Sequence, residues 1–425
     1  MLAGFGTLSL GDQHSMILKH DGSLWVTGYN LFGQLGLDSN TDSFKFTRLT
    51  LKRTVGVAVG NEHSIVLKQD GSVWTTGKNV YGQLGDGKMS GKNVFKQVMP
   101  AGAQAVVAGR DYSMVLKENG SLWATGRNNY GQLGDHTTTL RKHFVQVISS
   151  GVRAVAVGSY HSMVLKHDGS VWITGSNAFG QLGMGLLLPR RLEFCKVIAS
   201  SVKAMAAGSL HTLVVKQDGS VWATGRNLFG QLGDGSVIAK STFVLVVTSG
   251  VGNTVAAGHS YSLLMKQDGS IWGTGSNVHG QLGDGSTTDK KSFVKVKSSV
   301  KFMAAGFGHS MIVTEDNSVW ATGWNLYGQL GDGTITSRSE FIKITTLNNG
   351  VVRNAVTAED NRLFSDLPIT NTVSVSGILV HYRLFRMLYD CLFYGGVCTS
   401  MHLLFDRFAK FNKQAYAVSP IVEPS

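Results

Sequence analysis

The chain has 425 residues, of which 43% are hydrophobic and 16% charged, and its 53 glycines far outnumber its 5 prolines. This composition excludes collagen-like and intrinsically disordered chains and indicates a folded, turn-rich protein. The formal net charge is +12. Such a basic excess is compatible with nucleic acid, chromatin or an acidic protein as a partner, and equally with a solvated surface that binds nothing.

No secretory or membrane-spanning segment is expected. The first residues lack the basic and apolar stretches of a secretory signal. The one long apolar region, residues 377–405, contains Arg383, Arg386 and Asp390, and each such charge costs about 2.5–3.5 kcal/mol at the centre of a bilayer. Three irregularly spaced cysteines indicate neither a disulfide framework nor a cysteine zinc site. A reducing compartment, the cytoplasm or the nucleus, is therefore favoured.

One tryptophan motif recurs seven times, at intervals of 49, 49, 49, 50, 50 and 48 residues. The seven tryptophans are Trp25, Trp74, Trp123, Trp172, Trp222, Trp272 and Trp320. Each is followed by Thr-Gly, an asparagine and Gly-Gln-Leu-Gly, whereas Trp324 lies outside the pattern. A period of this length predicts a repeat architecture, which can exceed the usual size of a single core.

Within one repeat, four short β-prone runs follow one another without a helical period. In the fourth repeat these runs are residues 152–157, 162–166, 170–174 and 194–198. Four strands in each of seven repeats predict an all-β fold, a seven-bladed β-propeller of four-stranded blades. The alanine-rich first run suits the crowded axis. The tryptophan, and a phenylalanine that opens the fourth run, are expected in the packing between blades.

The second and third runs are joined by Asp-Gly in five repeats. Asp-Gly predicts a two-residue type I′ turn, in which both central residues have positive φ. Asn119-Gly120 serves equally well in the third repeat, and Asp316-Asn317 is a weaker choice in the seventh.

The segment WATGRNLFGQLGDGS, residues 222–236, looks like a phosphate-binding loop. A P-loop needs G-x-x-x-x-G-K-[ST] before a helix, and no lysine follows here. Because the segment recurs in every repeat, its glycines are expected to shape the turn after the third strand, with the leucine as an anchor between blades. No nucleotide or cofactor site is expected.

A histidine lies eleven residues before the tryptophan in five repeats, and Tyr112 and Tyr261 replace it in the other two. The five are His14, His63, His161, His211 and His309. Their recurrence favours a structural hydrogen bond at the blade junction over a metal site, which would need several converging imidazoles. A lysine beside the hairpin turn recurs in six repeats. Such a ring could attract an acidic partner, and a solvated rim is the competing interpretation.

The pattern G-x-x-H-S followed by D-G-S-x-W-x-T-G-x-N-x-x-G-Q-L-G-D-G is similar to the repeat of the regulator of chromosome condensation family. The resemblance covers residues 8–345, roughly four-fifths of the chain, and implies a seven-bladed β-propeller. Members of this family serve as exchange factors, ubiquitin-ligase modules, photoreceptors and inhibitors. The resemblance is therefore specific for fold and not for function.

Family members that exchange nucleotide on the small GTPase Ran use an acidic residue just before the motif histidine, together with an inserted β-wedge. The resemblance carries this role to Glu62 and Asp111 alone. Asp111 precedes Tyr112 instead of a histidine, and the constant repeat length leaves no room for a wedge. Exchange on a Ran-like GTPase, with chromatin association, is therefore the alternative function.

The loop of the fourth repeat departs most from the others. Where sister repeats have polar loops such as DGSTTDKK, residues 184–193 read MGLLLPRRLE and are one residue longer. Leu186, Leu187 and Leu188, followed by Arg190 and Arg191, form a candidate partner-binding loop, an apolar anchor with a basic rim. Drift in a loop that folds back on the propeller is the equal alternative.

Two domains are expected, a propeller of residues 1–358 and a C-terminal extension of residues 359–425. In the extension, apolar residues recur at three- and four-residue spacing on both sides of Gly395-Gly396. This spacing predicts two amphipathic helices, unless the segment is poorly ordered or non-native. The strand at which the ring closes is expected from residues 351–360, in which residues 355–358 align with the alanine-rich first run, or from residues 7–11.

No Ser/His/Asp, Cys/His or paired-carboxylate set stands out from the repeats, so catalysis is not expected. The sequence predicts a monomeric, non-catalytic interaction scaffold without metal or cofactor. Its expected partner is a protein, with a small GTPase as one candidate.

Overall fold

The computed structural model describes residues 7–19, 21–49, 51–185, 188–348 and 352–353. In these residues the chain forms seven sheets, one for each repeat, and the four strands of a repeat are neighbours in chain order. The predicted fold class, an all-β, seven-bladed β-propeller with four-stranded blades, is confirmed.

The strands of the seven blades have closely similar bounds. The first strands are Thr7–Leu10, Thr54–Val59, Ala103–Ala108, Val152–Val157, Val202–Ala207, Val251–Ala257 and Val300–Ala305. The second strands are His14–Leu18, His63–Lys68, Tyr112–Lys117, His161–Lys166, His211–Lys216, Tyr261–Lys266 and His309–Thr314. The third strands are Leu24–Gly28, Val73–Gly77, Leu122–Gly126, Val171–Ser176, Val221–Gly225, Ile271–Gly275 and Val319–Gly323. The fourth strands are Ser43–Leu49, Lys92–Met99, Arg141–Ile148, Arg190–Ile198, Lys240–Val247, Lys290–Lys297 and Arg338–Lys343, followed by the 3₁₀-helix Thr346–Asn348.

The first strand of each blade lies nearest the axis. The ends of all seven first strands, among them Leu10, Ala108 and Ala207, surround one cavity of about 120 Å³. Small side chains fit where seven strands converge, because larger ones would collide. The predicted place of the alanine-rich run at the axis is confirmed.

Three of the four runs predicted for the fourth repeat agree with its strands to within two residues. The fourth strand begins at Arg190, before Phe194, so the prediction that a phenylalanine opens this strand is wrong. Pairing starts where Ser176 lies opposite Arg190, and a register shift between Gly175 and Ile173 follows before the phenylalanine is reached. The strand residues before Phe194 are mostly charged, so they did not stand out as a β-prone run in the sequence.

The turn between the second and third strands is not the predicted type I′. In the fourth blade Gly169 has φ +77°, whereas Asp168 is outside the left-handed region. The Gly169 amide donates to the Lys166 carbonyl at 3.0 Å, and the Lys166 amide donates to the Ser170 carbonyl at 2.9 Å. These bonds close a three-residue loop that ends in a left-handed glycine. The aspartate instead caps the turn, because its carboxylate accepts the Ser170 amide at 2.9 Å.

The ring closes at blade 1, whose sheet also takes in a short strand from the chain that follows blade 7. Thr7–Leu10, within the predicted segment 7–11, is the first strand of blade 1 and pairs with His14–Leu18. Blade 7 is complete in itself and packs on blade 1 through a common apolar cluster that includes Trp25 and Met311. Val352–Arg353 pairs in parallel with the fourth strand of blade 1. Of the predicted segment 351–360 only Val352 and Arg353 are described, and the extension 359–425 lies outside the described residues.

The Gly-Gln-Leu-Gly loops are held by their own side chains. In blade 5 the Asn227 Oδ1 accepts the Leu232 amide at 3.0 Å, and the Gln231 Oε1 accepts the Phe229 amide at 3.0 Å. The leucine of the motif is fully buried in all seven blades. The predicted structural role of this loop is confirmed, and each loop leads into a strand and not into a helix.

The last glycine of this loop lies against the phenylalanine of the next blade. A Cβ atom at Gly85 would lie 2.4 Å from the Phe144 ring, and Gly85 has φ +75°. The same contact joins each blade to its neighbour around the ring, including Gly331 of blade 7 to Phe46 of blade 1. Glycine is required here for two reasons, the left-handed backbone and the close approach of the ring.

A circle of buried hydrogen bonds joins the second strands of adjacent blades. The histidine Nε2 atoms lie 2.8–3.0 Å from a serine or threonine hydroxyl of the next blade, in the pairs His14–Ser64, His63–Ser113, His161–Thr212, His211–Ser262 and His309–Ser15. The tyrosine hydroxyls take the same place in the pairs Tyr112–Ser162 and Tyr261–Ser310, each 2.9 Å. The predicted role of these histidines at the blade junction is confirmed.

The second hydrogen bond of each hydroxyl determines the protonation of the histidine. Ser64, for example, donates to the Gln34 carbonyl at 2.8 Å, so its oxygen must accept from the His14 Nε2–H group. Nε2 is therefore the nitrogen that carries the proton when the ring is neutral. Burial lowers the pKa of His14, His161 and His309 to about 3 and that of His63 and His211 to about 4.

Stability is expected to fall as the pH is lowered from 6.5 towards 4. In this window the unfolded chain protonates its histidines, whose ordinary pKa is about 6.5, and the folded chain does not. Each buried histidine then removes about 2 kcal/mol at pH 5. Urea unfolding at several pH values measures the slope. His161→Tyr, which copies blades 3 and 6, should reduce the slope, and the exposed control His167→Tyr should not. An unchanged slope in His161→Tyr would contradict the inference that the buried histidines at the blade junctions cause the pH dependence.

The glycine contact is tested by a matched pair of alanine substitutions. Gly85→Ala and Gly151→Ala both place alanine at a positive φ, which costs about 1–2 kcal/mol. Only Gly85 faces a ring, because nothing lies within 4 Å of a Cβ at Gly151. We expect Gly85→Ala to lower the free energy of unfolding by about 1–3 kcal/mol more than Gly151→Ala does. Equal losses in urea denaturation would show that the ring contact carries no constraint.

Candidate interaction face

The loops of the propeller open onto two faces. In every blade the last glycine of the third strand, or its equivalent, lies opposite the first residue of the second strand, as Gly28 does opposite His14. The loops from the first to the second strand and from the third to the fourth strand therefore lie on the same side, here called the loop face. The second-to-third hairpins lie on the other side, here called the hairpin face.

The recurring lysines and turn aspartates of the hairpin face interact with residues of their own blades. The recurring lysines lie over the tryptophan rings of their own blades, in the pairs Lys19–Trp25, Lys68–Trp74, Lys117–Trp123, Lys166–Trp172, Lys216–Trp222 and Lys266–Trp272, at 3.7–4.8 Å from nitrogen to centroid. The turn aspartates accept hydrogen bonds from the following serine, whose hydroxyl accepts the tryptophan Nε1–H group, as in Ser170 and Trp172. The lysines are thus held against aromatic rings at a cation–π distance.

The repeat tryptophans lie between blades. Trp25 is buried and the other six are half-buried. Trp74 packs on the core of blade 1, and Trp172 packs on the core of blade 3. In both cases the ring covers the blade that precedes its own.

On the loop face, the residue that follows Thr-Gly stacks on an aromatic ring of the preceding blade. Lys78 lies over Phe32 at 5.2 Å, Arg127 over Tyr81 at 5.0 Å and Arg226 over Phe179 at 5.4 Å. Tyr29 on Tyr327 and Trp324 on His279 complete the set, with centroids 4.9 and 5.6 Å apart. Serine takes this place in blades 4 and 6. Trp324, outside the repeat pattern in sequence, is therefore a member of this structural set.

The two candidate exchange acids hold two of these cations. Glu62 and Asp111 are both 4% exposed. Glu62 forms an ion pair with Lys78, and Asp111 lies 3.3 Å from the Arg127 guanidinium and 3.9 Å from that of Arg110. The carboxylates thus lie below stacked cations and are screened from solvent by them.

Apolar exposure is concentrated on the loop face. Nine of the twelve large apolar side chains that are exposed among the described residues lie in third-to-fourth loops: Val80, Met89, Leu188, Leu228, Val237, Ile238, Val278, Leu326 and Ile335. Ile238 is 66% exposed and Val278 56%. The polar hairpins on the opposite side contain none of the twelve.

The candidate loop of blade 4 lies on the same face. Leu188 is 41% exposed, whereas Leu186 and Leu187 lie outside the described residues. Arg190 and Arg191 do not lie in the loop but begin the fourth strand, opposite Ser176 and Gly175. Arg190 is exposed and donates to the Asn129 carbonyl of blade 3 at 3.2 Å.

Five blades carry an ion pair at the root of this loop. An aspartate after Gly-Gln-Leu-Gly pairs with a basic residue at the start of the fourth strand, in Asp86–Lys92, Asp135–Arg141, Asp234–Lys240, Asp284–Lys290 and Asp332–Arg338, at 2.6–3.4 Å. Burial raises the pKa of each aspartate, but hydrogen bonds outweigh it and lower the pKa. The largest of these bonds come from the basic residue in Asp86, Asp135 and Asp332, and from the serine two residues on in Asp234 and Asp284. Sequence reasoning did not find these pairs.

The described part of the chain contains neither a metal-binding cluster nor a membrane-spanning helix. No group of three or more His, Cys, Asp or Glu side chains is arranged to hold a metal ion. No helix there is long and apolar enough to cross a membrane.

Known protein families and structures were compared with the chain. A family model described as RCC1-like domain matches residues 3–236, more than half of the chain, and one described as Regulator of chromosome condensation (RCC1) repeat matches residues 300–329. No curated protein sequence matches significantly.

Solved structures share the fold at low sequence identity. Human WBSCR16 is 20% identical with a TM-score of 0.68, over 76% of this chain and 93% of that one. Yeast RCC1 (Prp20), solved in a complex with Kap60, is 20% identical with a TM-score of 0.69, over 81% of this chain and 85% of that one. At this identity the likeness concerns the fold alone. On the evidence of the family models and the seven blades, the chain belongs to the RCC1-like domain family.

Proposed function

We propose that this protein is a non-catalytic interaction scaffold that binds a protein partner through its loop face. The observation that carries the proposal is the concentration of exposed apolar side chains on that face. Exposed apolar groups rimmed by polar residues mark interaction sites in soluble proteins. The hairpin face offers the contrast, because its recurring lysines and turn aspartates are engaged within the blades.

The composition of the loop face supports a protein partner. Aromatic residues and arginine are enriched at protein interfaces and dominate their binding energy. Arg127 and Trp324 are half-buried here in stacked positions, so little side-chain entropy is lost on binding. Within this face the proposal assigns the principal contact to residues 186–191, the one loop that is both apolar and flanked by two arginines.

The remaining expectations concern the setting of the protein. We propose a monomer in the cytoplasm or the nucleus. The net charge of +12 favours an acidic partner surface, and the same charge keeps nucleic acid or chromatin as a weaker alternative.

Guanine-nucleotide exchange on a Ran-like GTPase is the second candidate. The yeast relative Prp20p was studied for its binding to Gsp1p and histones, and both candidate acids of this chain lie on the loop face. Exchange requires an acid that reaches the phosphate and magnesium site of the GTPase. Because Glu62 and Asp111 are buried and paired with stacked cations, we favour the scaffold.

An exchange assay separates the two functions. We expect the purified full chain to leave unchanged the release of fluorescent guanine nucleotide from Ran and from a panel of other small GTPases. Asp111→Ala should lower the free energy of unfolding by about 1–3 kcal/mol, because it leaves Arg127 unpaired, without any effect on release. Accelerated release that is abolished by Asp111→Ala would replace the scaffold with exchange.

Replacing the apolar loop tests the scaffold directly. The triple variant Leu186→Ser, Leu187→Thr and Leu188→Thr copies the loop of blade 6. We expect it to fold normally and to lose most of the proteins that the tagged wild-type chain retains from cell extract, since the apolar anchor is gone.

The matched control lies in the neighbouring blade. Val237→Ser with Ile238→Thr removes exposed apolar groups from the corresponding loop of blade 5 and should leave the retained proteins unchanged. Quantitative mass spectrometry of the retained proteins compares the three chains. Equal retention by the triple variant and the wild type would overturn the assignment to blade 4.

A further inference from the structure

Blade 4 breaks the pattern of ion pairs on the loop face in an unusual way. The aspartate position is Leu37 in blade 1 and Met184 in blade 4, and the basic position is Ser43 and Arg191 respectively. Blade 1 has thus lost both partners, which leaves no charge behind. Blade 4 has lost the acid and kept the base.

Arg191 has no internal partner in its place. Its Nε atom is buried without a hydrogen bond, and its guanidinium forms no ion pair with any residue that the structure describes. Met184 packs against the apolar core of blade 4, where its sisters present a carboxylate. Glu193, two residues further on, lies 3.3 Å from His136 Nδ1. A buried donor without an acceptor costs about 1–3 kcal/mol. An anion that supplied the acceptor would therefore stabilise the arginine at this position.

We propose that Arg191 binds a carboxylate of the protein partner, at the place that the aspartate of the repeat holds in five sister blades. This inference rests on the proposed function and specifies the chemistry of the partner. In blades 3 and 7 an arginine binds its aspartate at 2.6 and 2.8 Å. The same backbone position in blade 4 presents an arginine for such a charge-assisted bond with an incoming acid.

The surroundings of Arg191 select an acidic peptide segment that also carries an apolar side chain. Leu188 is 41% exposed and can cover an apolar residue next to the bound acid. Arg190 is exposed at the start of the same strand and adds a second positive charge. A nucleic-acid backbone would leave the apolar groups uncovered and would approach Glu193, so we commit to a protein segment.

The decisive variants are Arg191→Met and Met184→Asp. The first removes the proposed binding group, and the second restores the internal pair of the sister blades, so that Arg191 is no longer available. Arg141→Met is the matched control, because that arginine is already paired with Asp135. Met184→Asp should raise the melting temperature in the wild-type background and lower it in the Arg191→Met background, a double-mutant cycle that reports the new pair.

The probes are fluorescein-labelled twelve-residue peptides in which one leucine is flanked at varied spacings by glutamates, with glutamine in the matched set. We expect some glutamate peptides to bind the full chain by fluorescence anisotropy. Arg191→Met and Met184→Asp should each weaken binding at least about tenfold, or about 1.4 kcal/mol. Arg141→Met should leave the affinity unchanged, and the glutamine peptides should not bind.

Several results would overturn the inference. Equal binding by Arg191→Met and wild type, or equal binding of glutamine and glutamate peptides, would show that no carboxylate is recognised by Arg191. Binding of a DNA duplex that Arg191→Met abolishes, without peptide binding, would assign the site to a phosphate backbone instead. If the leucine variant loses its partners while Met184→Asp keeps them, the scaffold stands and the carboxylate site falls.

Discussion

The ring depends on one recurring hydroxyl group at each blade junction. The hydroxyl of Ser64, for instance, accepts from His14 and donates to the Gln34 carbonyl, and both partners belong to the preceding blade. Because the group is buried, the loss of either bond leaves an unsatisfied polar atom in a low-dielectric interior. The bond between His309 and Ser15 closes the circle in the same way as the others. The short strand Val352–Arg353, which joins the sheet of blade 1, adds a second link at this closure.

Steric interlock and hydrogen bonding set the same spacing between blades. The glycine that ends each Gly-Gln-Leu-Gly motif must be small for the phenylalanine of the next blade, and its loop supplies the carbonyl that the junction hydroxyl needs. The motif that resembles a phosphate loop thus serves contacts between blades. The most regular residues of the sequence are therefore the least available for a partner.

The fold could be predicted from the repeat period of the sequence. The candidate site could not, because it depends on the register between paired strands. The interval between tryptophans predicts seven blades, and the alternation of apolar runs predicts their strands, because both signals repeat seven times. The Asp-Gly turn was wrongly predicted since a three-residue loop with a final left-handed glycine has the same two letters. Arg191 takes the position of the paired bases because it lies opposite Gly175 after a shift of register within the sheet, which no spacing in the sequence reveals. An alignment of the seven repeats could have shown the missing acid, but not that the two positions meet.

Glu62 and Asp111 differ from Arg191 in whether the fold balances their charge. Glu62 and Asp111 are exceptional in sequence, yet each balances a cation, Lys78 or Arg127, that stacks on a neighbouring ring. Their charge is therefore already neutralised inside the fold. Arg191 is ordinary in sequence, since most sister blades have a basic residue there, but the acid of the repeat is replaced by Met184. The Nε atom of Arg191 is buried without a hydrogen bond, and its guanidinium forms no ion pair within the described part of the chain. A partner's charge gains a charge-assisted bond from a group whose own charge the fold has left unbalanced, so the ordinary arginine and not the exceptional acids is the candidate for its recognition.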